Sequence, residues 1–83
     1  MIKIYTSEKC DYCEELKEKL EKENIKFFDV NVDDEKNKDE CTKLFKFAGE
    51  PVIPIIIKKP HVLVPKRSFN TIDQAIELIK SIK

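Results

Sequence analysis

The stretch KCDYCEELKEKL, residues 9–20, places two cysteines close together where a loop gives way to a helix. The second cysteine, Cys13, and the two leucines that follow it recur among Glu and Lys residues at the spacing of one helical face. This periodicity predicts an amphipathic helix from Asp11 to about Glu23. Cys10 then lies at the very start of that helix, and the Cys13 side chain faces the core.

Four short apolar runs in the rest of the chain are typical of β-strands. They are MIKIY (residues 1–5), NIKFFDVNV (24–32), PVIPIIIKKP (51–60) and HVLVP (61–65). In the second run Phe28, Val30 and Val32 share one face, and we expect an edge strand there. The last two runs must pair antiparallel because their connection is so short, although no favoured two-residue turn dipeptide joins them. Residues 33–48 have helical periodicity, and Gly49 is placed to end that helix.

The last helix is predicted within residues 70–83, where Thr71 and Gln74 form a capping box. Its apolar stripe comprises Ile72, Ala75, Ile76 and Ile79. The element order is therefore β-α-β-α-β-β-α within one domain, residues 1–83. Because a strand–helix–strand crossover makes the first two strands parallel, the sequence predicts a four-stranded mixed sheet covered by three helices.

Composition limits the functions that fit this chain. Its 16 Lys and Arg balance 16 Asp and Glu, so the net charge gives no reason to expect a nucleic-acid partner. The charge is uneven, with a sum of −4 over residues 1–50 and +4 over residues 51–83. The longest apolar run, VIPIII, is too short to cross a membrane, and MIKIYT lacks the apolar core of a signal peptide. Since three cysteines do not fit a secreted disulfide framework, we expect a cytoplasmic protein without a membrane partner.

Cys10 and Cys13 allow three chemical interpretations. Cβ atoms three residues apart in a helical turn are about 5–6 Å from each other, so a disulfide can form with little adjustment. The helix start favours a thiolate at Cys10 while Cys13 is shielded, which suits a nucleophile with a resolving partner. A zinc site would also need Cys41 and His61, and two packed free cysteines are the third alternative. A CxxC motif at a strand-to-helix junction favours redox chemistry.

The sequence IYTSEKCDYC, its β-α-β context and the later VIPIII resemble the glutaredoxin family over essentially the whole chain. The resemblance implies an α/β protein of the thioredoxin/glutaredoxin fold, and a thiol–disulfide oxidoreductase whose catalytic residues are Cys10 and Cys13. It also implies a cis peptide bond before Pro54, facing the cysteines, and backbone pairing of Ile53 with an extended substrate. Tyr12 matches the family's substrate-facing aromatic residue.

Asp11 departs from the family pattern, which often has proline at this position. Its carboxylate, with Glu14 one turn further on, opposes the thiolate that the helix start favours. Lys9 acts in the opposite direction, and it can also replace the family's substrate-binding lysine, whose usual position holds Ser7. We expect the acids to prevail, which gives a low reduction potential and a good reductant.

The resemblance implies glutathione as co-substrate, no tightly bound cofactor and no metal. However, the family's Gly-Gly-Asp-type stretch before the last helix is replaced by VPKRSFNTID, residues 64–73, which contains no glycine. Arg67 and the helix start at Asn70 or Thr71 can still hold a carboxylate. Reduction by glutathione, reduction by a thioredoxin-type reductase, and a [2Fe–2S]-binding glutaredoxin therefore stay open. The implied substrates are proteins that contain disulfides, and we expect a monomer.

The third cysteine and the histidine are predicted to be structural. Cys41 shares a helical face with Leu44 and Phe45, which favours a core cysteine over a regulatory thiol. His61 opens a strand without an evident serine or aspartate partner, which favours a surface role over a catalytic one.

Overall fold

The computed structural model describes residues 2–82, which form one four-stranded sheet between helices. The strands are β1 Ile2–Thr6, β2 Phe27–Asn31, β3 Ile55–Lys58 and β4 His61–Leu63. The helices are α1 Asp11–Lys22, α2 Lys38–Ala48 and α3 Ile72–Ser81. The predicted element order is confirmed. The second helix is shorter than predicted because a 3-10 turn over Glu35–Asn37 precedes it.

The sheet has the strand order β2-β1-β3-β4, with β1 in its centre. β1 is parallel to β2 and antiparallel to β3, and β3 is antiparallel to β4. The predicted mixed sheet, parallel first pair and antiparallel last pair are therefore confirmed, as is the edge position of β2. This topology brings the end of β1 and the start of β3 together, where the loops that carry the cysteines and Pro54 meet.

Two apolar clusters lie on opposite faces of the sheet because successive strand residues point to opposite sides. On one face, Ile4 and Ile56 pack with Leu16 of α1 and with the apolar stripe of α3. On the other face, Tyr5 and Ile55 pack with α2. The predicted stripe of α3 is buried: Ile72, Ala75, Ile76 and Ile79. The three helices are thus held to the sheet by the faces that the periodicity predicted.

Two connections depend on special backbone geometry. Gly49 ends α2 with φ +88°, a left-handed conformation that glycine adopts without steric cost. The β3–β4 connection contains a cis Lys59–Pro60 bond, which the sequence did not predict. In the part of the chain that the structure describes, no helix has the length and apolar character needed to cross a membrane.

Candidate active site

Cys10 is the N-cap residue of α1 and is joined to Cys13 by a disulfide bond, with 5.2 Å between their Cα atoms. The extended backbone of Cys10 places its sulfur over the first helical turn, where the Cys13 N–H donates to Cys10 Sγ at 3.1 Å. The Cys10 carbonyl accepts the first helical hydrogen bond, from the Glu14 N–H. The sulfur thus occupies the place where an N-cap side chain satisfies a free N–H of the helix.

The two sulfurs differ in their exposure. Cys13 lies on the stripe with Leu16 and Leu20 and is fully buried, whereas Cys10 is half-buried. The structure thus shows the predicted difference in burial, with Cys10 the more accessible of the two sulfurs. Charged side chains follow on the exposed side, with Asp11 and Glu14 in the first turn of α1.

A polar cluster ties together the elements below the cysteine loop. Thr6, the last residue of β1, is buried, and its hydroxyl donates to the Asp29 carboxylate of β2. Lys17 Nζ of α1 lies 2.9 Å from the second Asp29 oxygen. This hydrogen bond to Asp29 is the main cause of the raised pKa of Lys17. The cluster connects the end of β1, α1 and β2, and so helps to fix the base of the loop at residues 7–9.

The peptide bond between Ile53 and Pro54 is cis, as the family resemblance implied. Pro54 is buried and directly precedes β3. The backbone N–H and carbonyl of Ile53 are without a hydrogen-bond partner in the described part of the chain.

A groove of about 420 Å³, which we call the redox groove, runs beside Tyr12 and Pro54. Its walls are Tyr12, residues 51–54, and residues 65, 66 and 69–72. Three of the predicted substrate-binding residues, Tyr12, Ile53 and Pro54, are therefore together in one groove. Tyr12 is 65% exposed, so an aromatic face beside the disulfide is open to a ligand.

Two other predicted substrate-binding residues, Lys9 and Arg67, lie outside the wall of the redox groove. Lys9 is exposed in the loop before Cys10. The Arg67 guanidinium lies beside Gly49 at the end of α2. Its Nη2 would be 3.1 Å from a Cβ atom at position 49. There it is placed to interact favourably with the negative end of the α2 dipole.

Sequence reasoning missed Lys66, which is part of the groove wall. The signal was the basic pair Lys66–Arg67 between Pro65 and the α3 cap. The pair alone did not show which cation faces the groove, because this depends on the positive φ of Lys66, +72°. Phe69, also in the wall, is buried and packs into the first apolar cluster.

The third cysteine is part of the second apolar cluster, as predicted. Cys41 is 3% exposed, and burial and the Glu40 charge raise the pKa of its thiol. The Tyr5 hydroxyl next to it donates to the Glu40 carboxylate, which Lys3 Nζ also contacts at 3.1 Å. Burial is the main reason why the pKa of Tyr5 is raised, and the bond from Tyr5 is the main reason why that of Glu40 is lowered. A shielded, protonated thiol is a poor nucleophile.

His61 is exposed on the edge strand β4, as the sequence indicated. Among the residues that the structure describes, no group of three or more His, Cys, Asp and Glu side chains is arranged to hold a metal ion. The cysteine pair and the redox groove are thus the chemically distinctive part of the described chain.

A buried and a half-exposed cysteine, joined at the start of a helix beside a cis proline, define a dithiol redox protein of the thioredoxin fold. The glutaredoxin family profile matches residues 2–62 of the chain. The chain therefore belongs to the glutaredoxin family, and it is a thiol–disulfide oxidoreductase with a CxxC pair.

Several known proteins are similar to this chain in sequence or in fold. An uncharacterised glutaredoxin-like 8.6 kDa protein encoded in a rubredoxin operon of Clostridium pasteurianum is 50% identical over 56 residues, which are 66% of this chain and 75% of that protein. The glutaredoxin-like NrdH-redoxin of Escherichia coli, which has a thioredoxin-like activity profile, has a TM-score of 0.63 at 26% identity, covering 80% of this chain and 83% of that one. Buckwheat glutaredoxin, solved in complex with glutathione, has a TM-score of 0.71 at 15% identity, covering 95% of this chain and 67% of that one.

Proposed function

We propose that residues 1–83 form one glutaredoxin-like domain that reduces protein disulfides or glutathione mixed disulfides through Cys10 and Cys13. The observation that carries this proposal is the Cys10 sulfur, which caps α1 and is bonded to a fully buried partner. The positive end of the helix favours the thiolate form of the outer sulfur. The Cys13 sulfur is shielded from solvent and reacts in the second step, with the mixed disulfide at Cys10.

The reaction takes two exchange steps. In the first, the reduced Cys10 thiolate attacks one sulfur of the substrate disulfide, forms a mixed disulfide and releases the other sulfur as a thiol after protonation. In the second, the Cys13 thiol loses its proton and attacks Cys10 Sγ, which releases the substrate's second thiol and leaves the Cys10–Cys13 disulfide. Two electrons pass to the substrate, and an external dithiol or two glutathione molecules must return them.

The remaining predicted site residues have binding roles in this scheme. The free N–H and carbonyl of Ile53 pair with the backbone of an extended substrate segment, and Pro54 and Tyr12 cover its cysteine. Lys9, in the loop before Cys10, and Arg67, beside the end of α2, provide positive charge for a carboxylate. These roles are consistent with the exposure of Tyr12, Lys9 and Arg67.

Either of two electron sources fits the proposal. Glutathione is the co-substrate that the family and the buckwheat complex suggest, and a thioredoxin-type reductase is suggested by the thioredoxin-like profile of NrdH-redoxin. No tightly bound cofactor takes part, and the domain acts as a monomer in the cytoplasm, where thiols are kept reduced. A nucleic-acid or membrane partner is not part of the scheme.

The proposal is tested by following reduction of insulin and of a glutathione mixed disulfide in two parallel assays. One assay is fed by glutathione and glutathione reductase, and the other by thioredoxin reductase. Cys10→Ser is expected to lower turnover by about 1000-fold or more, since the nucleophile is lost. Cys13→Ser is expected to accumulate the mixed disulfide, which mass spectrometry detects.

The matched control is Cys41→Ser, which changes the third cysteine and is expected to keep turnover within about twofold. Turnover that persists in Cys10→Ser would exclude the dithiol mechanism. Charge-transfer absorbance after anaerobic reconstitution with iron and sulfide would instead support the [2Fe–2S] alternative.

A further inference from the structure

Cys10 and Cys13 do not line the redox groove, but Tyr12, which lies between them in the sequence, does. A substrate segment that continues past the reacting disulfide therefore meets the groove at Tyr12. Most of the groove wall is apolar or aromatic, contributed by Tyr12, by residues 51–54 and by Phe69. Among the described residues that line the groove, Lys66 is the one charged side chain. The groove therefore combines an apolar surface with a single positive charge.

Lys66 is available to a ligand. It is exposed, and within residues 2–82 no carboxylate lies within ion-pair distance of its ammonium group. An uncompensated cation at the edge of an apolar groove attracts a negatively charged partner group.

Hydrogen bonds fix the backbone of the turn that carries Lys66. The Lys66 N–H donates to the Phe69 carbonyl at 2.8 Å, and the Val64 N–H donates to Ser68 Oγ at 3.0 Å. The φ of +72° at Lys66 is a left-handed conformation in which glycine or asparagine is more favourable. The chain thus has a long cationic side chain at a position where the backbone alone favours glycine.

Fewer backbone N–H groups are free to bind a carboxylate at the start of α3 than at the start of a helix without a side-chain cap. The Gln74 N–H donates to Thr71 Oγ1 at 3.1 Å, and the Asn70 N–H donates to Gln74 Oε1 at 2.8 Å. Lys66 is therefore the charged partner that the wall of the redox groove offers to one carboxylate, whereas glutathione carries two carboxylates and little apolar surface. A peptide with one acidic side chain and apolar neighbours matches the groove better.

From these observations we infer that the redox groove binds an extended, apolar segment of a protein substrate with an acidic side chain near its disulfide cysteine, and that Lys66 selects this segment. The inference rests on the proposed dithiol exchange. The segment's backbone pairs with Ile53, its apolar side chains cover Tyr12 and Pro54, and its acidic side chain pairs with Lys66. Lys66 is thus a specificity-determining residue that takes no part in the exchange itself.

The test measures the second-order rate constant of the reduced protein with quenched fluorescent peptide disulfides, in single turnovers that need no electron source. The peptides share apolar residues around the cysteine and differ only in carrying Glu, Gln or Lys near it. The wild-type protein is expected to react roughly three- to tenfold faster with the Glu peptide than with the Lys peptide, and raised salt reduces this ratio. Lys66→Glu reverses the preference, and Lys66→Asn, which tolerates the positive φ, removes it.

The matched control is Lys59→Glu, the same charge change at an exposed lysine of the β3–β4 turn, which is expected to keep the wild-type preference. The inference would be overturned if the wild-type protein reacted at the same rate with all three peptides. It would also be overturned if Lys66→Glu lowered the rate constant by the same factor for every peptide. The inference would also be overturned if Lys66→Glu lowered the rate with oxidised glutathione as much as the rate with the Glu peptide. Lys66 would then bind glutathione rather than select a protein segment. A wild-type protein that fails even with a small aromatic disulfide would instead contradict the proposed function.

Discussion

Two helices begin beside the redox groove, and their starts are capped at the same distance by chemically different groups. At α1 the Cys10 sulfur accepts the Cys13 N–H at 3.1 Å, and at α3 the Thr71 hydroxyl accepts the Gln74 N–H at 3.1 Å. The α3 cap is reinforced because Gln74 Oε1 accepts the Asn70 N–H. At α1 the capping atom is also the atom that reacts.

This difference shows how one structural device serves two purposes. At α3 the capping group does not change during turnover, so its hydrogen bond contributes to folding stability only. At α1 the same kind of hydrogen bond stabilises whichever sulfur species has the most negative charge, and so it acts on the thiolate that attacks the substrate. The helix start is therefore structural at α3 and chemical at α1.

The largest expected difference between the helix starts of α1 and α3 is in how much a change of the capping residue lowers the free energy of unfolding. Thr71→Ala is expected to lower the free energy of unfolding by about 1 kcal/mol, because the Gln74 N–H loses its acceptor. Thr71→Ser should recover most of this loss. Cys10→Ser retains an acceptor at the α1 start, so the free energy of unfolding of the reduced protein should change by only about 0.3 kcal/mol.

These values are measured by guanidinium unfolding under reducing conditions, which remove the contribution of the disulfide. A loss in Cys10→Ser as large as that in Thr71→Ala would show that a hydroxyl cannot replace the sulfur cap. The functional contrast between the two starts would then rest on stability as well as on chemistry.

The next effect concerns the charge beside the α1 start. Asp11→Asn removes the repulsion between a carboxylate and the Cys10 thiolate, which should stabilise the reduced form by about 0.3–1 kcal/mol. For a two-electron couple this raises the reduction potential by roughly 6–20 mV. The potential is measured by equilibrium with glutathione redox buffers. Glu21→Gln, the same charge change near the other end of α1, is the control and should leave the potential unchanged.

A potential that does not rise in Asp11→Asn would contradict the expectation that the acids of the first turn oppose the thiolate. It would mean that solvent screens Asp11 from Cys10, since Asp11 is exposed. The carboxylates of Asp11 and Glu14 would then not account for the predicted low reduction potential.

The α1 start could be predicted from the sequence because its determinants are local. The spacing of Cys13, Leu16 and Leu20 fixes both the helix and the face that is buried, and Cys10 then falls at the cap. The Thr71–Gln74 cap of α3 is equally local, and it was predicted for the same reason. The cis bond at Pro54 was implied by the family resemblance.

The groove wall at residues 65, 66 and 69–72 could not be predicted in the same way. Whether Lys66 or Arg67 faces the groove depends on a left-handed backbone at a lysine, which local propensity disfavours, and on Phe69 entering the core of the folded protein. The 3-10 turn before α2 was also missed, because helical periodicity does not distinguish it from the first turn of a helix.

The smallest effect is expected at the start of α2. This helix has no side-chain cap at Asn37 and has acidic residues in its first turn instead. Glu40, one of these acids, accepts hydrogen bonds from Tyr5 and Lys3, which lower its pKa. A lowered folded-state pKa gives stability that is present above the unfolded pKa, about 4.3, and is lost as the pH falls through the folded value.

Glu40→Gln should therefore lose less stability than the wild-type protein between pH 7 and pH 3. The difference should be less than about 0.5 kcal/mol, because the Glu40 side chain is 42% exposed and solvent screens its ion pair with Lys3. The measurement is the free energy of unfolding at both pH values, with Asp39→Asn in the same turn as control. An equal difference in both variants would show that first-turn acids act on α2 through the helix dipole alone, and that the bond from Tyr5 adds nothing to the pH dependence.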